Sequence, residues 1–209
     1  MIQILIADDH AIFRQGVRRV IEFAADMRVV SEASNGREVL ESIRSQEPDI
    51  LLLDLAMPSP SGIELIKRVR EVAPSLPILV LTVHNESELA SRTIRAGAAG
   101  YLTKDGEPEL LLDAIRTVSK GGNYVAQPIA AKLLYDRFDR DAAPHRLLSD
   151  REYQVFLRLA RGLGIGVIAD DLYISPKTVS THKFRVLQKL GLKTEAELVR
   201  YAIRHQLVD

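Results

Sequence analysis

Asp54 closes an apolar run, Ile50-Leu51-Leu52-Leu53, and three other apolar runs end in polar groups of complementary chemistry. Asp8 and Asp9 follow Ile2-Gln3-Ile4-Leu5-Ile6-Ala7, Thr82 closes Ile78-Leu79-Val80-Leu81, and Lys104 follows Ala98-Ala99-Gly100-Tyr101-Leu102-Thr103. Strands of a parallel sheet bury both faces and are nearly continuous in apolar residues. Ligands of such sheets sit beyond the carboxyl ends of the strands. Three carboxylates, a hydroxyl and an ammonium are therefore expected on one rim, a set suited to a divalent cation and a phosphoryl group. Mg²⁺ takes oxygen ligands and keeps several waters; Asp9 and Asp54 can bind it directly and Asp8 through water. The ion would screen a carboxylate attacking phosphorus and neutralise the transferring oxygens. Lys104 can neutralise a further phosphate oxygen as a point charge, and Thr82 can donate a hydrogen bond to another. The product would be an acyl phosphate on Asp54. His10 and His84 lack the spacing of a metal pair and are read as loop residues that tune access to the phosphate.

A second chemistry lies near the other end of the chain. Ser175 to Lys193 holds five basic residues and no acid. At 100° per residue, Val179, Val186, Leu187 and Leu190 share one face and Lys177, Thr181, Phe184, Arg185 and Gln188 the opposite one. A short helix, a tight turn and a basic amphipathic helix fit a helix-turn-helix whose second helix enters the major groove. Lys177, Ser180, Thr181 and Phe184 are the candidate base readers: Lys177 can reach a guanine edge, and Phe184 a thymine methyl. Thr178, Lys183, Arg185 and Lys189 are candidate phosphate contacts, which position without specifying. Lys183 falls near the apolar side, so its stem is expected to pack while its amine snorkels out. His182 is read as a packed helix residue.

The elements that must position these groups form two patterns. Strands near 2–7, 28–33, 49–54, 77–82 and 99–102 alternate with helices near 11–24, 36–46, 62–73, 87–96 and 107–120. Five βα repeats with short connections predict an α/β, doubly wound, five-stranded parallel sheet. Gly121-Gly122 stops the fifth helix. Residues 123–147 are read as a linker with a short helix at 129–138. Leu148-Ser149-Asp150-Arg151-Glu152 opens a small all-α domain at 148–209, with Ser149 and Glu152 as a capping box. Its helices are expected at 150–161, 165–172, 176–190 and 195–205, with Ser175 and Pro176 starting the third and Gly191 ending it.

The 209 residues carry no net charge, but the halves differ. Residues 1–125 hold 14 Lys+Arg and 18 Asp+Glu, and residues 126–209 hold 14 and 10. The excess of cations in the second part points to a nucleic-acid partner. Absence of cysteine excludes disulfides and thiolate sites. No run of about 18 apolar residues suggests a membrane span, and the chain enters a strand without a leader pattern. A cytoplasmic location is expected.

These motifs resemble a known family. Ala7-Asp8-Asp9-His10, Leu53-Asp54-Leu55-Ala56-Met57-Pro58 with Gly62, Leu81-Thr82 and Gly97 to Asp105 are similar to the receiver domain of two-component response regulators, of flavodoxin-like fold, over residues 1–122. Leu148 to Glu152, Leu172 to His182 and Lys189-Leu190-Gly191 resemble the helix-turn-helix output domain of the NarL/FixJ (LuxR-type) subfamily. The resemblance implies that a sensor histidine kinase phosphorylates Asp54, and that Asp8, Asp9 and the main-chain carbonyl of Ala56 help hold Mg²⁺. It also makes Thr82 and Tyr101 a switch pair acting on the face of the fourth helix, fifth strand and fifth helix. The output domain would then bind double-stranded promoter DNA as a homodimer, on DNA or when phosphorylated, and regulate transcription. In this subfamily the last helix often forms the dimer contact. Leu198, Tyr201 and Ala202 form its core-facing stripe, and Val199 and Ile203 a second apolar stripe that can pair with a two-fold mate. The chain departs from the family pattern at Gly164, Gly166 and Val167, where a cap and a carboxylate are usual; Gly166 costs up to about 1 kcal/mol inside a helix.

Three rivals are weaker. An aspartyl-nucleophile phosphohydrolase needs a second Asp two residues after the nucleophile, where this chain has Ala56, so turnover as an enzyme is not expected. A dinucleotide-binding domain needs Gly-x-Gly-x-x-Gly after the first strand, which Asp8 to Phe13 lacks. The third is an output domain that binds a protein partner rather than DNA, which a salt titration of binding to random duplex would test.

Overall fold

In this computed structural model, residues 1–57, 60, 62–83, 87–127, 129, 130 and 143–208 are described. Pro58, His84 and the 131–138 part of the expected linker helix lie outside them. The chain divides into two compact units, Met1–Leu134 and Tyr135–Asp209.

The first unit alternates β1 (Ile2–Ala7), α1 (Ala11–Glu22), β2 (Met27–Ala33), α2 (Gly36–Gln46), β3 (Ile50–Asp54), α3 (Gly62–Val72), β4 (Ile78–Thr82), α4 (Ser87–Arg95), β5 (Gly100–Thr103), α5 (Pro108–Ser119) and β6 (Tyr124–Val125). The strands pair in parallel in the order β2-β1-β3-β4-β5-β6. Side chains alternate across a strand. Ile4, Ile6, Ile50, Leu52, Leu79, Leu81 and Leu102 therefore face one side, where they join Val17 and Ile21 of α1 and Leu111, Ala114, Ile115 and Val118 of α5. Leu5, Leu51, Leu53, Val80 and Tyr101 face the other side and are equally buried.

Five strands were expected, with a linker from residue 123. The structure adds a sixth, two-residue strand, β6, at Tyr124–Val125 within the assigned linker. Gly121, at φ 83°, turns the chain after α5. The Tyr124 N–H then donates to the Ala99 carbonyl at 3.1 Å, and Tyr124 and Val125 align with Gly100 and Tyr101. Two residues are too few to display a strand period.

The second unit holds a 3-10 turn (Pro144–Leu147), α6 (Asp150–Ala160), α7 (Ile165–Asp171), α8 (Pro176–Leu190) and α9 (Glu195–Arg204). Tyr153, Phe156 and Leu157 of α6 form the centre of its core, with Ile168, Val179, Val186, Leu198 and Ala202. Ser149 and Glu152 make the full capping box that starts α6. Ser175 caps α8, Pro176 opens it, and Gly191 closes it at φ 68°. Gly164 precedes α7 without a side-chain cap, and Gly166 lies within the helix. The Arg158–Asp171 ion pair, Nε to Oδ2 at 2.7 Å, ties α6 to α7.

Candidate functional site: an acidic crevice and a basic helix

The strand order reverses between β1 and its neighbours β2 and β3, and the crevice at such a point is where open α/β sheets bind ligands. Asp8 and Asp9 leave β1 there, and Asp54 ends β3 beside them. The register lines up the rim: Ala7 pairs with Leu53, Asp54 with Leu81, and Thr82 with Thr103. Lys104 follows, its N–H donating to the Thr82 carbonyl at 2.8 Å.

The five expected groups converge. The Lys104 ammonium donates to Asp54 Oδ2 at 2.8 Å and lies 2.6 Å from Asp8 Oδ2. It also stands 4.5 Å from the centre of the Phe13 ring. Asp8 and Asp54 are only 2% and 3% exposed. Burial raises the Asp54 carboxyl above its ordinary value, against the opposing pull of Lys104. For Lys104, burial favours the neutral amine, but hydrogen bonds to Asp54 and Asp8 outweigh it and leave the pKa raised. The N–H of Ala56 donates to Asp54 Oδ1 at 3.3 Å, and the loop carrying it begins directly after β3. Thr82 and Tyr101 are both buried, on neighbouring strands.

The pocket has the character of a metal site. Asp8 Oδ2 and Asp9 Oδ1 are closed to solvent. The Lys104 ammonium lies 2.6 Å from the first and His10 Nδ1 2.8 Å from the second. Oxygens of this kind suit a hard cation, and Asp8, Asp9, His10 and Asp54 bring ligand atoms close enough to share one. His10, expected as a loop residue tuning access to the phosphate, lies at the carboxylates themselves: the turn into α1 folds its ring back over them.

Arg14 was also missed. Its Nη1 donates to the Asp8 carbonyl at 2.6 Å and its Nε to Glu32 Oε2 at 2.8 Å. It thereby clamps the loop that carries both N-terminal carboxylates. An arginine on an amphipathic helix has no sequence signal that separates such a clamp from a solvated face.

In the second unit, Lys177, Ser180, Thr181, Phe184 and Arg185 are exposed on α8, Phe184 by 68%. Ser180 and Thr181 donate to the Pro176 and Lys177 carbonyls of their own helix, and Thr178 is within hydrogen-bond reach of the Ser175 hydroxyl. Two expected phosphate contacts are paired with acids of the same unit. Lys183 does not project freely into solvent: its ammonium pairs with Glu195 at the start of α9. Lys189 donates to Glu152 Oε2 at 2.6 Å and to the Leu147 carbonyl at 3.3 Å. Both amines are drawn to acids that lie far away in sequence, which helical periodicity cannot reveal. Glu152 is buried, which opposes its charge, but Lys189 and the Ser149 groups hold its carboxyl below the ordinary value. His182 is packed, and burial lowers its pKa. On α9, Leu198 and Ala202 are buried, whereas Val199 is half-buried and Ile203 is 53% exposed.

Among the described residues, no helix is long and apolar enough to cross a membrane. Residues 4–116 match the response regulator receiver domain, and residues 146–202 match the luxR family of bacterial regulatory proteins. The response regulator UvrY of Escherichia coli K12 is 36% identical over 211 residues, covering 100% of this chain and 97% of that one. The oxygen regulatory protein NreC of Staphylococcus carnosus is 37% identical over 215 residues, covering 99% of each. The RcsB response regulator of Salmonella typhimurium shares 30% identity at a TM-score of 0.72, with 96% of each chain covered. RcsB has also been solved as a DNA complex. A phosphohydrolase finds no support among these relatives. The chain belongs to the two-component response regulators, with a receiver domain followed by a luxR-family regulatory domain.

Proposed function

We propose that Asp54 is the phosphoacceptor of a transcription regulator, charged by a sensor histidine kinase in a Mg²⁺-dependent transfer and read out by α8 on promoter DNA. The observation that carries this reading is the buried Lys104 bridge between Asp54 and Asp8 at the β1/β3 crevice. Asp8, Asp9, Asp54 and the Ala56 carbonyl would hold the ion, whose chemistry is to screen the nucleophile and the phosphoryl oxygens. Asp54 attacks phosphorus with Oδ1 or Oδ2, the kinase imidazole leaves, and Lys104 moves onto a phosphate oxygen. Thr82 donates its hydroxyl to a second oxygen. Its movement opens space on the α4 side of the sheet, into which the Tyr101 ring repacks, giving a two-state element. Position 56 is Ala, with no acid/base group to drive turnover, so the chain acts as a cytoplasmic switch rather than an enzyme.

The receiver spans residues 1–122, the linker 123–147 and the DNA-binding domain 148–209, with β6 extending the receiver sheet into the linker. Lys177, Ser180, Thr181 and Phe184 read bases, and Thr178 and Arg185 contact phosphates. Lys183 and Lys189 reach phosphate only by giving up Glu195 and Glu152. Val199 and Ile203 pair with a second copy across a two-fold axis, and the RcsB–DNA complex supports a DNA-bound role for this architecture. Acetyl phosphate with Mg²⁺ should add one phosphate to the wild type and none to Asp54→Asn, by intact mass. Full modification of Asp54→Asn would overturn the assignment.

A further inference from the structure

His10 is the unexplained member of the acidic crevice. It holds the N-cap position of α1, yet its side chain caps no N–H of that helix. Its Nδ1 turns back to the carboxylates, 2.8 Å from Asp9 Oδ1 and 3.4 Å from Asp8 Oδ1. Its own N–H donates to Asp8 Oδ1 at 2.8 Å, which fixes that carboxylate relative to the ring. An octahedral ion with bonds of about 2.1 Å sets adjacent ligand atoms about 3.0 Å apart, and the two ring-to-carboxylate distances bracket that edge. One ligand atom from each of Asp8, Asp9, His10 and Asp54 lies within 4.8 Å of all the others. Asp8 Oδ2 and Asp9 Oδ1 are sealed from solvent, the first 2.6 Å from the Lys104 ammonium and the second 2.8 Å from His10 Nδ1. The Asp8 side chain is 3% exposed and aimed into the crevice.

We infer that the crevice is a mixed imidazole–carboxylate metal site, in which His10 Nδ1 is a ligand and admits imidazole-binding divalent ions of the transition series beside Mg²⁺. This rests on the phosphoacceptor reading of the same pocket. Carboxylates and water serve Mg²⁺, while an added imidazole favours the later first-row ions. Mg²⁺ gains little from a nitrogen ligand, so His10 sets metal preference rather than metal binding as such. A transition ion held by four protein ligands would occupy the crevice in competition with Mg²⁺.

Co²⁺ is the probe, followed by its visible absorption in the full chain, with Mg²⁺ as competitor. His10→Asn is the test variant, since Asn keeps a good N-cap, and Asp54→Asn is the site control. The Mg²⁺-displaceable Co²⁺ should bind the wild type about tenfold more tightly than His10→Asn, with Mg²⁺ affinity equal in both within about twofold. Equal Co²⁺ affinity in the two proteins, or loss of Mg²⁺ affinity in step with Co²⁺, would overturn the role of the imidazole. If wild type binds neither ion, or Asp54→Asn changes neither, the pocket is not a metal site and the phosphoacceptor reading fails with it.

Discussion

Lys189 offers a sharp test, because its position on α8 and its contacts point to different roles. Its side chain is 39% exposed, but that of Glu152 is only 5% exposed. Removing one partner of a fully buried pair costs roughly 3–5 kcal/mol, while exposed pairs contribute about 0–1 kcal/mol. With one end buried and the other screened, about 2 kcal/mol is expected for Lys189→Ala. In a domain of this size that is a fall in Tm of roughly 8–16 °C for the second unit. The pH dependence has a definite sign. Glu152 is held below the ordinary 4.5, so its stabilisation is fully present above that value. It is lost as pH falls through the lowered folded value. In Lys189→Ala only the Ser149 groups still oppose burial, so the carboxyl rises and the gap from wild type should narrow on acidification. Thermal unfolding followed by circular dichroism, in a cycle with Glu152→Gln, measures the coupling. A coupling below about 0.3 kcal/mol, with DNA affinity reduced alike on every sequence, would return Lys189 to the role of phosphate contact.

Other outcomes are equally open to measurement. Arg70 donates to the Gly97, Pro74 and Leu76 carbonyls, so Arg70→Met should destabilise the first unit by about 2–4 kcal/mol in urea, with Arg70→Lys recovering little. Lys177→Ala should lose roughly 1–3 kcal/mol of discrimination between specific and random duplex, whereas Arg185→Ala should weaken both alike and reduce the salt slope by about one; equal effects of the two would undo the division between reading and positioning. Val199→Glu should leave Asp54 phosphorylation intact but sharply weaken binding to paired half-sites about 10 bp apart, and unchanged sedimentation on such DNA would refute pairing through α9.

The parts legible in the sequence were those written in local repetition. Apolar runs ending in Asp54, Thr82 and Asp8-Asp9 specify both the strands and the rim, because a parallel sheet must present its strand ends together. Ser149 with Glu152, and Ser175 with Pro176, mark helix starts through bonds spanning three residues. What stayed hidden depends on distant partners. Lys183 with Glu195, Lys189 with Glu152 and Arg14 with the Asp8 carbonyl are contacts made by tertiary folding, and each cation looks like surface until its partner is placed. In α4, Glu88 and Arg92 are both buried and pair at 2.8 Å, although four-residue spacing alone suggests an exposed helical pair. β6 was hidden for another reason: it consists of two residues stabilised by the edge it completes.

The Lys104 bridge has a consequence for how the regulator rests between signals. A tethered ammonium acts as a counter-ion at very high effective concentration, supplied by the chain itself. The crevice therefore carries a counter-ion of its own when free cations are scarce. On the proposed phosphoacceptor reading, an arriving ion or phosphoryl group would take Asp8 and Asp54 from a resident competitor, so the length and freedom of one side chain would set a threshold for both. Shortening that tether would lower the threshold and leave the resting protein dependent on its ionic surroundings.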